Sequence, residues 1–291
     1  MSSLTTTPLP RFQRLGWLSH RVRRSPLTLA GLAITLLVLL CMVFAPLLAT
    51  HNPNALDLAH RLAEPCASHW FGTDEVGRDL FSRVLYGSRQ SVGVGLFVAF
   101  AAGIIGGLLG CLSGVAGGRL DSLIMRLMDI MLSVPSLVLI MALGAALGPS
   151  LFNAMLAITL VRIPAYVRLA RGQALSIRQM GYVQAALTFG AGRWHLVSWH
   201  VLRNALPPLL VQLSLDIGGA ILMASALGFI GLGAQQPTAE WGAMVATGRN
   251  YILDQWWYST CPGVAILITA TGFNLLGDGI RDLLDPRQQG R

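Results

Sequence analysis

The residues able to do covalent, acid–base or metal chemistry are few here, and the usual sets are broken. All 21 basic residues are arginine. Without lysine there is no P-loop ammonium for nucleotide phosphates and no Schiff-base amine. The histidines His51, His60, His69, His195 and His200, with His20 near the start, lie between long apolar runs rather than inside them. An intramembrane Ser–His dyad therefore has no base. His195 and His200 are five apart, off the spacing that puts two imidazoles on one helical face for zinc. Cys41, Cys66, Cys111 and Cys261 form no CxxC pair, and two of them sit in apolar runs, as small buried side chains do. No catalytic residue and no metal site is expected.

The elements that carry these residues are membrane spans. The chain has 291 residues, of which 54% are hydrophobic and 12% charged, with a mean hydropathy of +0.60; soluble domains carry about 25% charged residues. A hydrocarbon core of about 30 Å takes roughly 20 helical residues. Leu27 to Ala49, Ser91 to Gly118 and Gln255 to Gly277 carry no charge, and Ala205 to Ala239 carries only Asp216. Ile130 to Val161 is uncharged but too long for one span, and Gly148-Pro149-Ser150 divides it; its first half starts near Asp121 as an amphipathic segment. The count is six, an all-α integral membrane protein. The first run is too long for a signal-peptide core and reads as a retained anchor.

Arginine placement gives the orientation. The segment before Leu27, the short loop at Arg119, the stretch from Arg162 to Arg203 and the C-terminal tail hold 16 arginines; the loops 50–90 and 234–257 hold five. Both termini are expected in the cytoplasm. The net charge of +8 is spread between the apolar runs rather than gathered in a nucleic-acid patch. The expected organisation is a tail (1–26), a first span (27–49), an outer loop (50–90), a five-helix core (91–285) with a cytoplasmic loop (172–206), and a tail (286–291).

In the first outer loop, Thr73 or Asp74 can cap a helix running toward Tyr86, with Gly77, Arg78 and Asp79 beside it. This is a surface helix leading into the second span, or a docking surface over a pathway mouth. Trp241, Trp256, Trp257 and Tyr258 in the second outer loop fit an interfacial belt. The most informative segment is Gly181 to Pro208. Tyr182, Ala185, Ala186 and Phe189 share one helical face, Gly190 stops that helix, and Trp194, Val197, Ser198, Val201 and Leu202 share a side of the next. Pro207-Pro208 marks the return to the membrane. Two short helices without any acid either lie on anionic headgroups or form a knob for a protein partner.

Tyr182-Val183-Gln184-Ala185-Ala186, Gly190, His200-Val201-Leu202 and Asn204-Ala205-Leu206-Pro207 resemble the "EAA" loop of bacterial ATP-binding-cassette importer permeases. His69 to Asp79, Met128-Asp129 with Ser133-Val134-Pro135-Ser136, Arg168 to Ala174, Phe229 to Gly233 and Phe273 to Pro286 are similar to the dipeptide, oligopeptide and nickel subfamily. Arg162-Ile163-Pro164 and Ala234 to Gly248 are most similar to its D,D-dipeptide branch. The resemblance implies the type I importer permease fold in a bacterial inner membrane. It implies a subunit that moves small peptides and binds no cofactor itself, ATP and magnesium being used by two partner ATPase subunits. A second homologous permease and a periplasmic binding protein complete the implied assembly. Tyr182, Gln184, Ala185, Ala186, Gly190, Ala191, His200, Leu202, Arg203 and Asn204 would form the ATPase-coupling loop. Two departures stand out: Gln184 replaces the family's glutamate, which forbids carrying over a salt bridge, and Arg203 replaces a helix-breaking proline. Ala224 stands where the family places an acid, so no acidic role transfers there.

Inside the spans, Asp216, Pro135 and Met223 are candidates for the substrate pathway. Pro135 and Pro164 can kink their spans, Arg162 can snorkel or pair with a neighbour, and Gly103, Gly106, Gly107 and Gly110 suit close helix packing. The rival class is an ion-coupled secondary transporter or channel, which would show inverted repeats or paired broken helices.

Overall fold

The computed structural model describes residues 25–284; the N-terminal arginines and the tail expected over 286–291 lie outside the described residues. Nine helices cover the described residues: α1 (Pro26–Leu48), α2 (Leu80–Ala116), α3 (Gly118–Ser133), α4 (Ser136–Leu147), α5 (Leu151–Arg178), α6 (Gly181–Thr188), α7 (Arg193–Ile230), α8 (Trp241–Gly248) and α9 (Trp256–Leu284). Helices α1, α2, α5, α7 and α9 are long and apolar enough to cross a bilayer, and α3 with α4 makes a sixth, bent by 91°. The bend falls at Val134-Pro135, where proline bars a continuous helix. Pro135 thus does more than kink the third span. It breaks it into an amphipathic entry and a short apolar half.

The ends of this bundle differ. At one, here called the cap end, lie loop 49–79 and the segment 231–255. At the other, the knob end, lie α6 and the start of α7. Helix α1 lays a strip of small residues, Thr28, Gly31 and Thr35, against Gly272 and Gly279 of α9; a Cβ on Gly31 would sit 2.6 Å from the backbone nitrogen of Leu276. Its leucines face outward, as a lipid-exposed helix requires. The α2–α5 contact uses the same device: Gly106 abuts Tyr166, and Gly110 abuts Val167 and Ala170. Gly103 faces both Tyr166 of α5 and Leu213 of α7, and Gly107 turns toward Leu209 of α7.

Two boundaries and the aromatic belt differ from the sequence expectation. Helix α2 starts at Leu80, and its cap is Asp79, whose Oδ2 accepts from Ser82 N at 2.8 Å; Thr73 and Asp74 lie upstream in a tight loop closed by a Thr73–Asp79 bridge. Helix α7 passes straight through Pro207 and Pro208. The carbonyls those prolines leave unpaired belong to exposed Arg203 and Asn204, where water can serve them. Trp241, Trp257 and Tyr258 form a buried cluster with Leu80, Ile221 and Phe273, and of the proposed belt only Trp256 is exposed.

Candidate functional site

The knob is built from backbone geometry outward. Helix α6 ends in a paired cap: Ala191 N donates to Ala186 O and Gly190 N to Leu187 O, both at 3.0 Å. That closure needs a left-handed residue, and Gly190 supplies it at φ +83°. Val183 points inward, with Ala186, Leu187 and Ala191 packed on the cluster formed by Leu196, Val197 and Val201. A π-helical turn over Leu196–Val201 joins the start of α7 to its spanning part.

The outward surface of the knob is apolar. Phe189 is 91% exposed, and Tyr182, Ala185, Trp194 and Trp199 are exposed beside it. Of the face that periodicity picked out, Tyr182, Ala185 and Phe189 look outward while Ala186 packs inward, and among the described residues nothing covers the outward three. Arg203 stacks over the Trp199 ring at 4.7 Å. Asn204 Nδ2 donates to Tyr182 Oη at 3.0 Å and to His200 O at 2.6 Å, which struts α6 against α7. Leu202 is half-buried behind them. Gln184 Nε2 donates to Arg178 O at 2.7 Å, closing the end of α5. A carboxylate could not make that bond, because it has no proton to donate.

Below the knob, three of the four arginines of α5 each pair with an acid on another helix. Arg171 grips Asp121 with both nitrogens, Nε–Oδ1 2.6 Å and Nη2–Oδ2 2.7 Å, and Ser113 of α2 donates to the same carboxylate. Arg168 meets Asp129 at 2.7 Å. At mid-depth Arg162 Nη1 lies 3.1 Å from Asp216 Oδ1, and Tyr166 Oη donates to Asp216 Oδ2 at 3.3 Å. Gly219 leaves the guanidinium room, since a Cβ there would stand 2.8 Å from Arg162 Nη2. Asp216 is buried, while Arg162 keeps about a quarter of its side chain exposed. Met223 packs among the residues facing α4, and Pro135 sits at the exposed bend, so the three pathway candidates do not converge on one point. A cavity of about 480 Å³ in the knob-end half is lined by Leu169, Gln212, Leu215 and Arg281.

At the cap end the structure corrects the docking expectation. Thr73, Asp74, Arg78 and Asp79 are buried, and Gly77 is pinned against the chain. Thr73 Oγ1 donates to His60 O at 2.5 Å and accepts from Ala63 N at 2.8 Å. Asp74 accepts from Val76 N and Arg78 N, and pairs with Arg78 Nε at 2.5 Å and Arg83 Nε at 3.6 Å. Arg78 reaches Gln236 Oε1 at 2.9 Å, and Arg83 reaches Pro53 O at 3.0 Å. These side chains tie the two cap-end loops together, with Leu56, Leu58, Trp70, Ile252 and Leu253 exposed around them. Glu240 caps α8 from a buried position: Gly242 N and Ala243 N each donate to it at 2.8 Å, and Ser91 Oγ donates at 3.2 Å. Burial pushes its carboxyl above the usual range, while those bonds pull the other way.

The sequence reading missed two features. The arginine–acid pairs of α5 join residues up to 54 apart, Arg162 and Asp216; the signal available was an arginine within an otherwise apolar run opposite a lone aspartate. The second is a cluster of His51, His69 and Asp79 at the cap end, whose members stand 18 and 10 residues apart and form no recognisable spacing.

Residues 106–290 match the family described as binding-protein-dependent transport system inner membrane component, and residues 16–65 match the N-terminal TM domain of oligopeptide transport permease C. The chain is 71% identical over 278 residues to a probable D,D-dipeptide transport system permease protein of Escherichia coli (strain K12), covering 96% of this chain and 92% of that one. It is 46% identical to a di/tripeptide transport system permease protein of Pseudomonas aeruginosa (strain UCBPP-PA14), covering 89% and 88%. Its fold matches a chain of the inward-facing MetNI methionine ABC transporter with a TM-score of 0.58 at 19% identity, over 71% of this chain and 98% of that one. The all-helical, multi-span architecture is thus the type I importer permease fold expected from the sequence, and the chain belongs to the family of inner membrane components of binding-protein-dependent transport systems.

Proposed function

We propose that this chain is one of two permease subunits of an ATP-driven importer of small peptides, dipeptides and D,D-dipeptides such as D-Ala-D-Ala among them. The substrate class is supported by the names of its relatives. It sits in a bacterial inner membrane with both termini in the cytoplasm, so that the knob is cytoplasmic and the cap end faces a solute-binding protein. The chain hydrolyses nothing and binds no cofactor for transport; two partner ATPase subunits use ATP and magnesium.

One observation carries the mechanism. The knob's second helix is α7 itself, 38 residues long without a break. A docked ATPase gripping Tyr182, Ala185 and Phe189 holds the end of a rod that runs through the bilayer. Closure of two ATPases draws two such knobs together and tilts the rods, switching the pathway between inward-open and outward-open. Gln184 and Arg203 act within the knob, as a cap on α5 and a cover on Trp199. Asp216 and Arg162 border the pathway: an arginine about a quarter exposed at mid-bilayer is tolerated only against protein or water. In proteoliposomes, radiolabelled D-Ala-D-Ala should accumulate only when partner permease, ATPases, binding protein and ATP are all present. Uphill accumulation by this chain alone on an ion gradient overturns the reading.

A further inference from the structure

Three side chains at the cap end meet in a way that the fold alone does not require. His51 follows α1 by three residues, His69 lies in the middle of loop 49–79, and Asp79 caps α2. Their nitrogen and oxygen atoms all lie within 4.8 Å of one another. His69 Nδ1 is 3.0 Å and His51 Nδ1 3.8 Å from the same oxygen, Asp79 Oδ1. The two imidazole rings stand with centroids 4.8 Å apart.

The cluster is braced from outside. Asp79 Oδ2 is occupied by Ser82 N and Thr50 Oγ1, which leaves Oδ1 aimed at the histidines. His51 is held by its own backbone, whose N–H donates to Ser82 Oγ at 3.0 Å, while its Nδ1 lies 3.0 Å from Thr50 Oγ1. Asp79 is nearly fully buried, His69 largely so, and His51 is 42% exposed. The exposed side of His51 lines a cavity of about 480 Å³ with Ala49, Asn52, Asn54 and Tyr86. The arrangement is thus a buried carboxylate, two imidazoles at graded depth, and a polar approach from solvent. His60 stands apart, 6.2 Å from His69 by ring centroid and hydrogen-bonded to Asp57 at 2.8 Å.

We propose that His51, His69 and Asp79 bind one divalent first-row transition metal ion of the zinc type, with a fourth position open to water from the cavity. Two imidazoles and one carboxylate are the donor set such ions prefer, whereas calcium and magnesium take oxygens. Tetrahedral ligands at about 2.0–2.2 Å from zinc lie roughly 3.3 Å apart. The present separations therefore need closing by about 1.5 Å at most, within reach of a rotation of the exposed His51 ring. The braces on Asp79 supply the outer hydrogen bonds that orient metal ligands. A bound ion staples the exit of α1 to the start of α2, adding to the hydrogen bonds that Asp79, Ser82 and Arg83 make there with Thr50, His51 and Pro53. It goes beyond the transport reading and does not depend on it.

The test uses the full-length chain in lipid nanodiscs, purified without a polyhistidine tag and stripped with EDTA. The protein is equilibrated with zinc chloride and desalted, and its zinc content is read by mass spectrometry. The expected content is near one zinc per chain, falling by about tenfold or more in His51→Ala and in His69→Ala and unchanged in His60→Ala. Zinc should also raise the thermal midpoint of wild type but not of His51→Ala, which shows that ion and fold are coupled. Asp79 caps α2, so His51, tethered through its backbone, is the decisive position. Zinc retention by stripped wild type no greater than by the His51→Ala/His69→Ala double variant overturns the proposal, leaving His69 as a hydrogen-bond partner of the cap.

Discussion

Arg162 of α5 and Asp216 of α7 form an ion pair at 3.1 Å, with Asp216 buried and Arg162 about a quarter exposed. Tyr166 completes the carboxylate's shell from one turn further along α5. Removing one partner leaves the other uncompensated in a low-dielectric setting, whereas removing both leaves only a packing defect. Asp216→Ala should lower stability by about 3 kcal/mol or more. The Arg162→Met/Asp216→Leu double variant should recover most of that loss. Unfolding midpoints of the four proteins of the cycle in one detergent give the coupling directly; additive single effects would remove the pair from the argument.

Gly190 is the stop of the knob, at positive φ and with its N–H bonded to Leu187 O. Proline there removes the donor and cannot adopt that φ. Gly190→Pro should insert and assemble normally while ATP hydrolysis proceeds without uptake. Paired ATPase and uptake measurements on the reconstituted transporter check this, and normal transport by the variant would count against docking at the knob.

Gly77 meets a harder limit. Its φ is +80°, and a Cβ would stand 1.7 Å from Asp57 O. The loop backbone must move to admit a methyl group, dragging Asp74, Arg78 and the cap of α2 with it. Gly77→Ala should cost about 2 kcal/mol or more, read as a lower thermal midpoint and faster cleavage of loop 49–79 by added protease. Gly93, where nothing lies within 4 Å of a built Cβ, is the control, and Gly93→Ala should change little.

Glu240 makes stability depend on pH with a defined sign. Burial raises its folded pKa above the unfolded value, so the folded state holds the proton more tightly. The stability this contributes is fully present below the unfolded glutamic acid range, about pH 4.3, and is lost as pH rises through the raised folded value. Glu240→Gln removes the titration. The midpoint of wild type minus that of the variant should therefore shrink as pH climbs from about 4.5 toward 8. A difference that grows over that range would show the N–H bonds of Gly242 and Ala243 outweighing burial.

The six spans, the knob and its glycine stop were legible because each is a local pattern: an uncharged run of membrane length, a periodic apolar face, a residue suited to positive φ. What escaped was set by distant partners. Thr73 and Asp74 have the chemistry of helix caps, but Ala63, His60 and Arg83 claim them, and the cap passes to Asp79. Trp241 reads as a belt residue until α8 folds inward and its Nε1 finds Val84 O at 2.9 Å. Pro207-Pro208 reads as a boundary because proline breaks helices in isolation, whereas α7, packed on α2, α5 and α9, continues through it. The knob's periodic face splits, with Tyr182, Ala185 and Phe189 turned outward and Ala186 packed inward, which periodicity alone could not tell.

Helix α7 has a mechanical consequence of its own. At about 1.5 Å per residue it is about 57 Å long, and Asp216 divides it into arms of about 35 Å toward Arg193 and 21 Å toward Ile230. A stiff beam fastened at such an intermediate fulcrum works as a seesaw: when one tip swings toward the molecular axis, the opposite tip swings away, by a smaller amount set by the ratio of the arms. Opposed motion on the two faces of the bilayer then needs no hinge and no messenger, only a fastening that holds.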